Sequence, residues 1–285
     1  MKKIILALGI FFTIANSIAQ NKAQSNLNIM TFNIRYDNPG DGTNSWPNRK
    51  ENALKMIRFN EVDILGMQEV LAHQLKDITA NLTEYATVGV GREDGKEKGE
   101  FSPILYNKNK FTLIKSGYFW LSQTTEKPSK GWDAACERIA TWVQLKDKAT
   151  GKKIFVLNTH FDHIGEVARR ESVNLIRIKI AQLSEGMPQI MMGDLNATPD
   201  SSVIQSLLTA DKSLSLLDSK KLASIVYGPN WSYHDFGKVS FKDRPLIDYI
   251  LVTKGITVRK YGVLAETLND LFLSDHAPVF INVTF

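Results

Sequence analysis

The sequence predicts a mixed α/β domain in which two packed, mixed β-sheets are flanked by helices. Three observations carry that prediction. Apolar runs of strand length recur from Leu27 to Val283, stretches with helical spacing lie between them, and the two do not alternate strictly. Strict alternation would point to a doubly wound parallel sheet, whereas neighbouring runs such as 104–106 and 111–120 point to an antiparallel hairpin.

Taken in order, Leu27 to Phe32 reads as the first strand, free of Gly and Pro. Arg49 to Asn60 places Ala53, Met56, Ile57 and Phe59 on one helical face. Ile64 to Met67 reads as a strand and Gln68 to Leu82 as a helix. Gly91 to Gly99 is charged and glycine-rich, a solvated loop that matches neither familiar phosphate-cradling spacing. Ile104 to Tyr106, Ala140 to Leu145 and Ile154 to Asn158 follow as strands. Glu166 to Leu183 is helical, with Ile176 and Ile180 one turn apart. Ile190 to Met192 is a strand, Ser201 to Leu208 a short helix, and Tyr249 to Thr253 and Val279 to Val283 are the last strands.

Residues 1–19 stand apart as a signal peptide. Lys2 and Lys3 precede the apolar stretch Ile4 to Ile14, and Ser17-Ile18-Ala19 offers a small-x-small cleavage site. Export to the periplasm or beyond is expected, with the mature chain starting near Gln20. The stretch is too short for a membrane-spanning helix and no second one follows, so no transmembrane anchor is expected. Residues 20–285 read as a single domain, because no linker-like or low-complexity tract divides them, and a monomer is expected. The formal charge of +5 includes Lys2 and Lys3, and no large basic stripe suited to tracking a nucleic-acid backbone is present. Cys136 is the sole cysteine, which rules out an intramolecular disulfide, so stability rests on the core that a hydrophobic content of 43% allows.

Polar residues border several apolar runs. Glu69 closes 64–68, Asp194 closes 189–192, Asp248 opens 249–252 and Asp275 precedes 277–281. One such acid alone is ordinarily a cap or turn residue. The histidines shift the balance: His160 and His276, two of five in the chain, fall at these same borders. His beside Asp, with further acids at like positions, is the composition of an acid–base or metal site. Strand ends in a layered sheet point to a common edge, and carboxylates, Asn and His gathered there suit a hard cation and hydrolysis.

Six motifs sharpen this: Met30-Thr31-Phe32-Asn33-Ile34-Arg35, Met67-Gln68-Glu69-Val70, Asn158-Thr159-His160, Gly193-Asp194-Leu195-Asn196, Ile247-Asp248-Tyr249-Ile250 and Ser274-Asp275-His276-Ala277-Pro278. In this order they resemble the endonuclease/exonuclease/phosphatase superfamily from about Leu27 to Phe285. Gly99 to Pro103, Ser129 to Ala135 and Asn158 to His163 are similar to an exported bacterial subgroup near the nocturnin and CCR4-type deadenylase branch. The resemblance implies a four-layer α/β sandwich and hydrolysis of phosphate esters with Mg²⁺ or Mn²⁺ as cofactor. It implies Glu69 as the metal-binding acid with Asn33 beside it, and Asp275 as a further acid of the metal site. Asp194 matches the acid that activates water, Asn196 its orienting partner, and His276 the catalytic histidine paired with Asp248. His160 matches a phosphate contact supported by Glu100, and Arg138 an arginine that meets substrate phosphate. Asp162 and His163 read equally as substrate contacts or as ordinary loop residues.

The rival reading is a catalytically inactive phosphate- or nucleic-acid-binding module on the same fold; the completeness of the set from Glu69 to His276 stands against it. Nucleotide, nucleic acid, sugar phosphate and lipid head group all stay open as substrates, and the mild charge favours a small or non-duplex ester. Trp46 and Trp132 read as loop packing residues, Tyr233 to Phe236 as an aromatic segment near the cleft, and Arg35 as either a phosphate contact or a surface ion pair.

Overall fold

The computed structural model describes residues 24–211 and 214–285, so the expected signal peptide over 1–19 lies outside the described residues. Two large sheets dominate. The first contains β1 (Asn26–Asn33), β2 (Ile64–Gln68), β3 (Tyr85–Val88), β4 (Ile104–Asn107), β10 (Ile225–Tyr227), β12 (Thr257–Val263) and β15 (Val279–Thr284). Its strand order is β10-β12-β15-β1-β2-β4-β3. The second contains β5 (Phe111–Trp120), β6 (Ile139–Asp147), β7 (Lys153–His160), β8 (Gln189–Asp194), β9 (Leu216–Asp218) and β11 (Asp248–Thr253), in the order β5-β6-β7-β8-β11-β9. A small hairpin, β13 (Thr267–Leu268) with β14 (Leu271–Phe272), stands outside both.

Alternation along the strands sorts the side chains into layers. On β1, Leu27 and Ile29 join the core between the sheets, while Met30 and Phe32 pack under helices α1 (Trp46–Phe59) and α2 (Ala72–Asn81). On β7, Ile154 and Val156 face the other sheet, while Phe155 and Leu157 pack against α3 (Glu166–Leu183) and α4 (Ser202–Leu208). A one-turn α5 (Ser219–Leu222) completes the helices of the described residues. Helix, sheet, sheet, helix is the four-layer sandwich expected above, and strands buried on both faces explain the near-continuous apolar runs.

Three expectations about elements need correction. Gln68 belongs to β2, and α2 starts only at Ala72, because Glu69 turns the chain in the left-handed region at φ 61°. The segments 104–106 and 111–120 do not form a hairpin: β4 pairs with β2 and β3 in one sheet, β5 with β6 in the other. The turn over 107–110 runs at the surface from one sheet to the other, and Tyr106 and Phe111 at its ends share the core between the sheets. Phe59 is 88% exposed rather than on the buried face of α1. Strand β12 escapes a period-two reading because a bulge between Val258 and Lys260 shifts its register.

Two features seat one sheet on the other. Gly66 lets them approach, since a Cβ there would lie 2.6 Å from Met192 Cε and 2.7 Å from Asn158 Oδ1. Beside it, the fully buried Asn158 amide donates to the carbonyls of Met67 at 2.8 Å and Pro103 at 2.9 Å, and its oxygen accepts from Gln68 Nε2 at 2.6 Å. Asn158→Leu removes all three bonds from a dry interior, leaving Pro103 only its bond from the Met67 N–H and Gln68 Nε2 only its bond to Thr31, so it should lower unfolding free energy by about 3 kcal/mol in guanidinium titrations. A loss below ~1 kcal/mol would show that the network is replaceable.

Candidate active site

The parallel pairs β1–β2 and β7–β8 end at the same edge, and β11, antiparallel to β8, begins there. Asn33 ends β1, Glu69 follows β2, His160 ends β7, Asp194 ends β8 and Asp248 opens β11. Register places His160 and Asp248 on either side of Asp194. Asp275 and His276 arrive on the segment before β15. Gly193 is required at this point: at φ 147°, a Cβ would sit 1.9 Å from the Thr159 carbonyl oxygen.

The resulting cleft has a volume of about 520 Å³. Glu69, Glu100, Arg138, His160, Asp194, Asn196, Asp275 and His276 line it. Asn33 and Asp248 lie immediately behind. Asn33 Nδ2 donates to Glu69 Oε1 and to Asp194 Oδ2, each at 3.0 Å, and its oxygen accepts from the Arg35 N–H. It therefore shows the acids an N–H face and holds two carboxylates at a fixed separation. Asp248 Oδ2 accepts from His276 Nδ1 at 2.8 Å, while His276 Nε2 lies 3.8 Å from Asp194 Oδ2. Asn196 donates to His160 Nε2 at 3.1 Å and to the Phe161 carbonyl at 3.0 Å.

Asp162 is placed differently: it lies beneath the cleft. Its oxygens accept from the backbone N–H groups of Ala135, Ile164 and Gly165 and from Arg138 Nε. It orders the loop that carries Arg138, whose Nη2 reaches His163 Nδ1 at 2.9 Å. Trp46 is buried under the first sheet and Trp132 does not line the cleft, so neither is a stacking platform.

Two contributors have no sequence motif. Arg92, from the loop read as merely solvated, lines the cleft in a two-pronged pair with Glu100 at 2.7 and 2.8 Å. Arg49, on α1 and fully buried, donates to the carbonyls of Ile34, Arg35, Asn44 and Leu273. It thereby clamps the chain beyond Asn33 to the chain ahead of Asp275. An arginine inside a helical pattern gives no hint of this; the pairing is visible only in three dimensions.

Electrostatics divide the titratable groups. Burial and Asp248 push Asp194 up to about 7, against His276 and the N–H groups of Asn196 and Asn33. Burial chiefly, with Glu69 adding, raises Asp275 as well. Burial works against charge on His276, yet Asp248, Asp194 and Asp275 hold it protonated, up to about 10. Burial, then Arg138 and Arg92, keep His160 neutral. Two carboxyls driven above their ordinary range beside a third, Glu69, form a set that a hard divalent cation would relieve. Asp194, Asp248 and His276 also bring ligand atoms within 4.8 Å of one another, but Asp248 and His276 are already spent on each other. Glu69 and Asp275 line the same cleft as Asp194, with Asp275 Oδ2 3.8 Å from Arg35 Nε.

A model of the Endonuclease/Exonuclease/phosphatase family matches residues 30–276. The chain belongs to that family. An endonuclease/exonuclease/phosphatase from Bacteroides vulgatus is similar at 42% identity and TM-score 0.88, over 91% of this chain and 98% of that one. A mannosyl-6-phosphatase from Bacteroides thetaiotaomicron is 36% identical with TM-score 0.84, over 91% and 100% of the two chains. The human nocturnin catalytic domain, with a bound sulfate, shares the fold at 20% identity and TM-score 0.72, over 90% and 94%. Among the described residues no helix is long and apolar enough to cross a membrane.

Two outcomes follow from the local structure. Glu69 sits at φ 61°, where a Cβ is strained. Glu69→Gly should therefore be more stable than Glu69→Ala by about 1 kcal/mol in thermal melts, since both remove the carboxylate and only one relieves the backbone. Burial disfavours the Asp162 charge, but the N–H groups of Gly165, Ala135 and Ile164 and the Arg138 guanidinium outweigh it and hold the carboxyl well below its ordinary range. A depressed carboxyl contributes stability above its unfolded value and loses it as pH falls through the folded one. Asp162→Asn should accordingly cost about 2 kcal/mol at pH 7, and the gap between the variant and the unsubstituted protein should narrow once pH drops below ~4. A gap independent of pH would contradict a charged role.

Proposed function

We propose that this protein is a divalent-metal-dependent hydrolase of phosphate esters, with water attacking phosphorus in line. The observation that supports it most is the juxtaposition, at one cleft edge, of an acid raised to about 7 and a histidine held cationic, with a second, neutral histidine on the acid's other side. Family membership, with phosphatases among its similar structures, supports the same reaction class.

The residues divide the work. Glu69 and Asp275, with Asp194 adjoining, would hold Mg²⁺ or Mn²⁺, which neutralises phosphate oxygens and makes phosphorus more electrophilic. Asp194 Oδ2 takes the proton from the attacking water, a role suited to an acid whose affinity for protons has been raised towards neutrality. Asn196, its backbone N–H on Asp194 Oδ1 at 3.0 Å, restricts the approach of that water. His276, oriented through Nδ1 by Asp248, presents Nε2 as a fixed positive donor to the charge that builds on the phosphorane. His160 stays neutral and offers Nδ1, buried and without a partner among the described residues, to the ester. Arg138 and Arg92 supply donors further along the cleft. The substrate read here is a small phosphate ester, consistent with a cleft that lacks any long basic track and with a mannosyl-6-phosphatase at 36% identity. Export from the cytoplasm is part of the same reading and rests on residues 1–19 alone.

Turnover of p-nitrophenyl phosphate and bis-p-nitrophenyl phosphate should appear with Mg²⁺ or Mn²⁺ and vanish with EDTA. Asp194→Asn and His276→Ala should each lower kcat by ~10² to 10³ or more. Undiminished turnover in EDTA, or in either variant, would overturn the mechanism.

A further inference from the structure

We propose that the open edge of β10 is a docking surface for an extended polypeptide segment with acidic side chains, which joins the seven-stranded sheet as a further strand. Docking there is independent of the reaction in the cleft. β10 is the terminal strand of its sheet and pairs only with β12, in parallel, with Ile225 beside Lys260 and Tyr227 beside Gly262. The Ser224 N–H donates to the Val258 carbonyl at 3.3 Å. Alternation along the strand then turns the N–H and C=O groups of Ile225 and Tyr227 away from β12, to the open side. No group among the described residues pairs with them there.

The side chains leave this edge unguarded. Ile225, Val226 and Tyr227 are 58%, 50% and 72% exposed, an apolar run where sheet edges ordinarily carry charge, proline or a bulge. The terminal strand of the other sheet, β5, shows such a guard: a bulge between Leu113 and Lys115, with Lys115 paired to Glu185 at 2.6 Å. β10 has only its shortness. Its exposed run is therefore a surface that pairing with another strand would cover.

Charge selects the partner. Residues 219–230 and 254–263, which form and border this edge, hold Lys220, Lys221, Lys254, Arg259 and Lys260 and no acid. Lys220 is spent on Asn230 Oδ1 at 2.8 Å, and the preceding acid, Asp218, on capping α5. Lys221, Arg259 and Lys260 are exposed and form no ion pair among the described residues. Register and the Ser224 bond place Arg259 and Lys260 beside the start of β10. A second copy would bring the same acid-free surface to the seam and meet like charge. A lipid surface suits the cations and the apolar side chains but leaves the open N–H and C=O groups unmatched. An acidic extended segment answers all three: its backbone pairs with the edge, its apolar side chains cover Ile225 and Tyr227, and its carboxylates meet the cations.

Fluorescence anisotropy tests this with a fluorescein-labelled peptide, Glu-Glu-Val-Thr-Val-Thr-Val-Glu-Glu, which presents acids whichever way it pairs. It should bind at least ~10-fold more tightly than the same peptide with Lys in place of Glu, or with Pro at its centre. Ile225→Pro removes an N–H on the open side, where edge strands accept proline, and should weaken binding at least ~5-fold. Lys260→Glu, which leaves the backbone as it is, should weaken it by a similar factor of ~5. An unchanged melting temperature identifies each variant as folded. Equal binding of the acidic and basic peptides, or binding untouched in folded Ile225→Pro and Lys260→Glu proteins, would overturn the docking surface. Binding to phosphatidylserine vesicles without binding to the peptide would overturn it in favour of lipid. Self-association in sedimentation runs that Ile225→Pro abolishes, again without peptide binding, would overturn it in favour of a second copy.

Discussion

Every distance in the cleft depends on how one sheet is seated on the other. Asn33, Glu69, Asp275 and His276 are carried by the seven-stranded sheet or the segments at its edge; His160, Asp194, Asn196 and Asp248 belong to the six-stranded one. The hydrogen bonds that assemble the site, Asn33 to Asp194 and His276 to Asp248, cross between them. Apolar packing alone would not fix that relation, because a layer of Ile, Val and Leu tolerates small slides at little cost. Asn158 removes the freedom. Its amide is directional, buried and matched to two specific carbonyls and one specific donor of the facing sheet, and Gly66 lets it come close enough to reach them. A polar network in a dry interior gains little net stability when satisfied and loses much when slipped, so it specifies register more than it strengthens the fold.

The same edge concentrates strain and charge. Arg35, Glu69 and Asn196 all adopt left-handed φ, at 58°, 61° and 45°, immediately beyond strand ends. Asparagine accepts that conformation readily and arginine and glutamate do not. Each turns the chain so that its polar side chain looks into the cleft instead of along the strand. Buried acids raised above their ordinary range add a second cost. The fold tolerates both because the three apolar cores of the sandwich lie behind, and because Arg49 ties the two segments that hold Asn33 and Asp275 through main-chain carbonyls.

What was legible in the sequence follows from what is local. Strand ends announce themselves by a polar residue closing an apolar run, so Glu69, Asp194, Asp248 and Asp275 could be picked out from composition, and the ordered motifs made them a family resemblance. Helix α3 was legible to the residue because Ala168, Val173, Ile176 and Ile180 recur at helical spacing on its buried face. Contacts made by long side chains across the fold were not legible. Arg92 sits in a glycine-rich charged loop whose composition says only that it is solvated, and its approach to Glu100 depends on how that loop folds back. The false hairpin at 104–120 had a similar origin, since proximity in sequence suggested pairing while Tyr106 and Phe111 were being buried between different sheets. Asp162 stood beside a motif histidine and so invited a functional reading, yet its partners are backbone N–H groups from two loops, which no pattern of side chains records.

His160 gives the cleft its polarity. On one side, Glu69, Asp194 and Asp275 share the cleft, with Asp275 3.8 Å from Arg35; on the other, Arg92 faces Glu100 and Arg138 faces Asp162. A phosphate ester is a molecule with this same division, a charged end that needs a cation and a polar end that needs only hydrogen bonds. The imidazole between them has to be neutral for the division to hold, because a protonated His160 would draw the Glu100 carboxylate towards itself and away from Arg92. Burial of the ring enforces that neutrality first, and Arg138 and Arg92 add to it through space. Arg92 and Arg138 line the same cleft and add to the burial that keeps this histidine neutral.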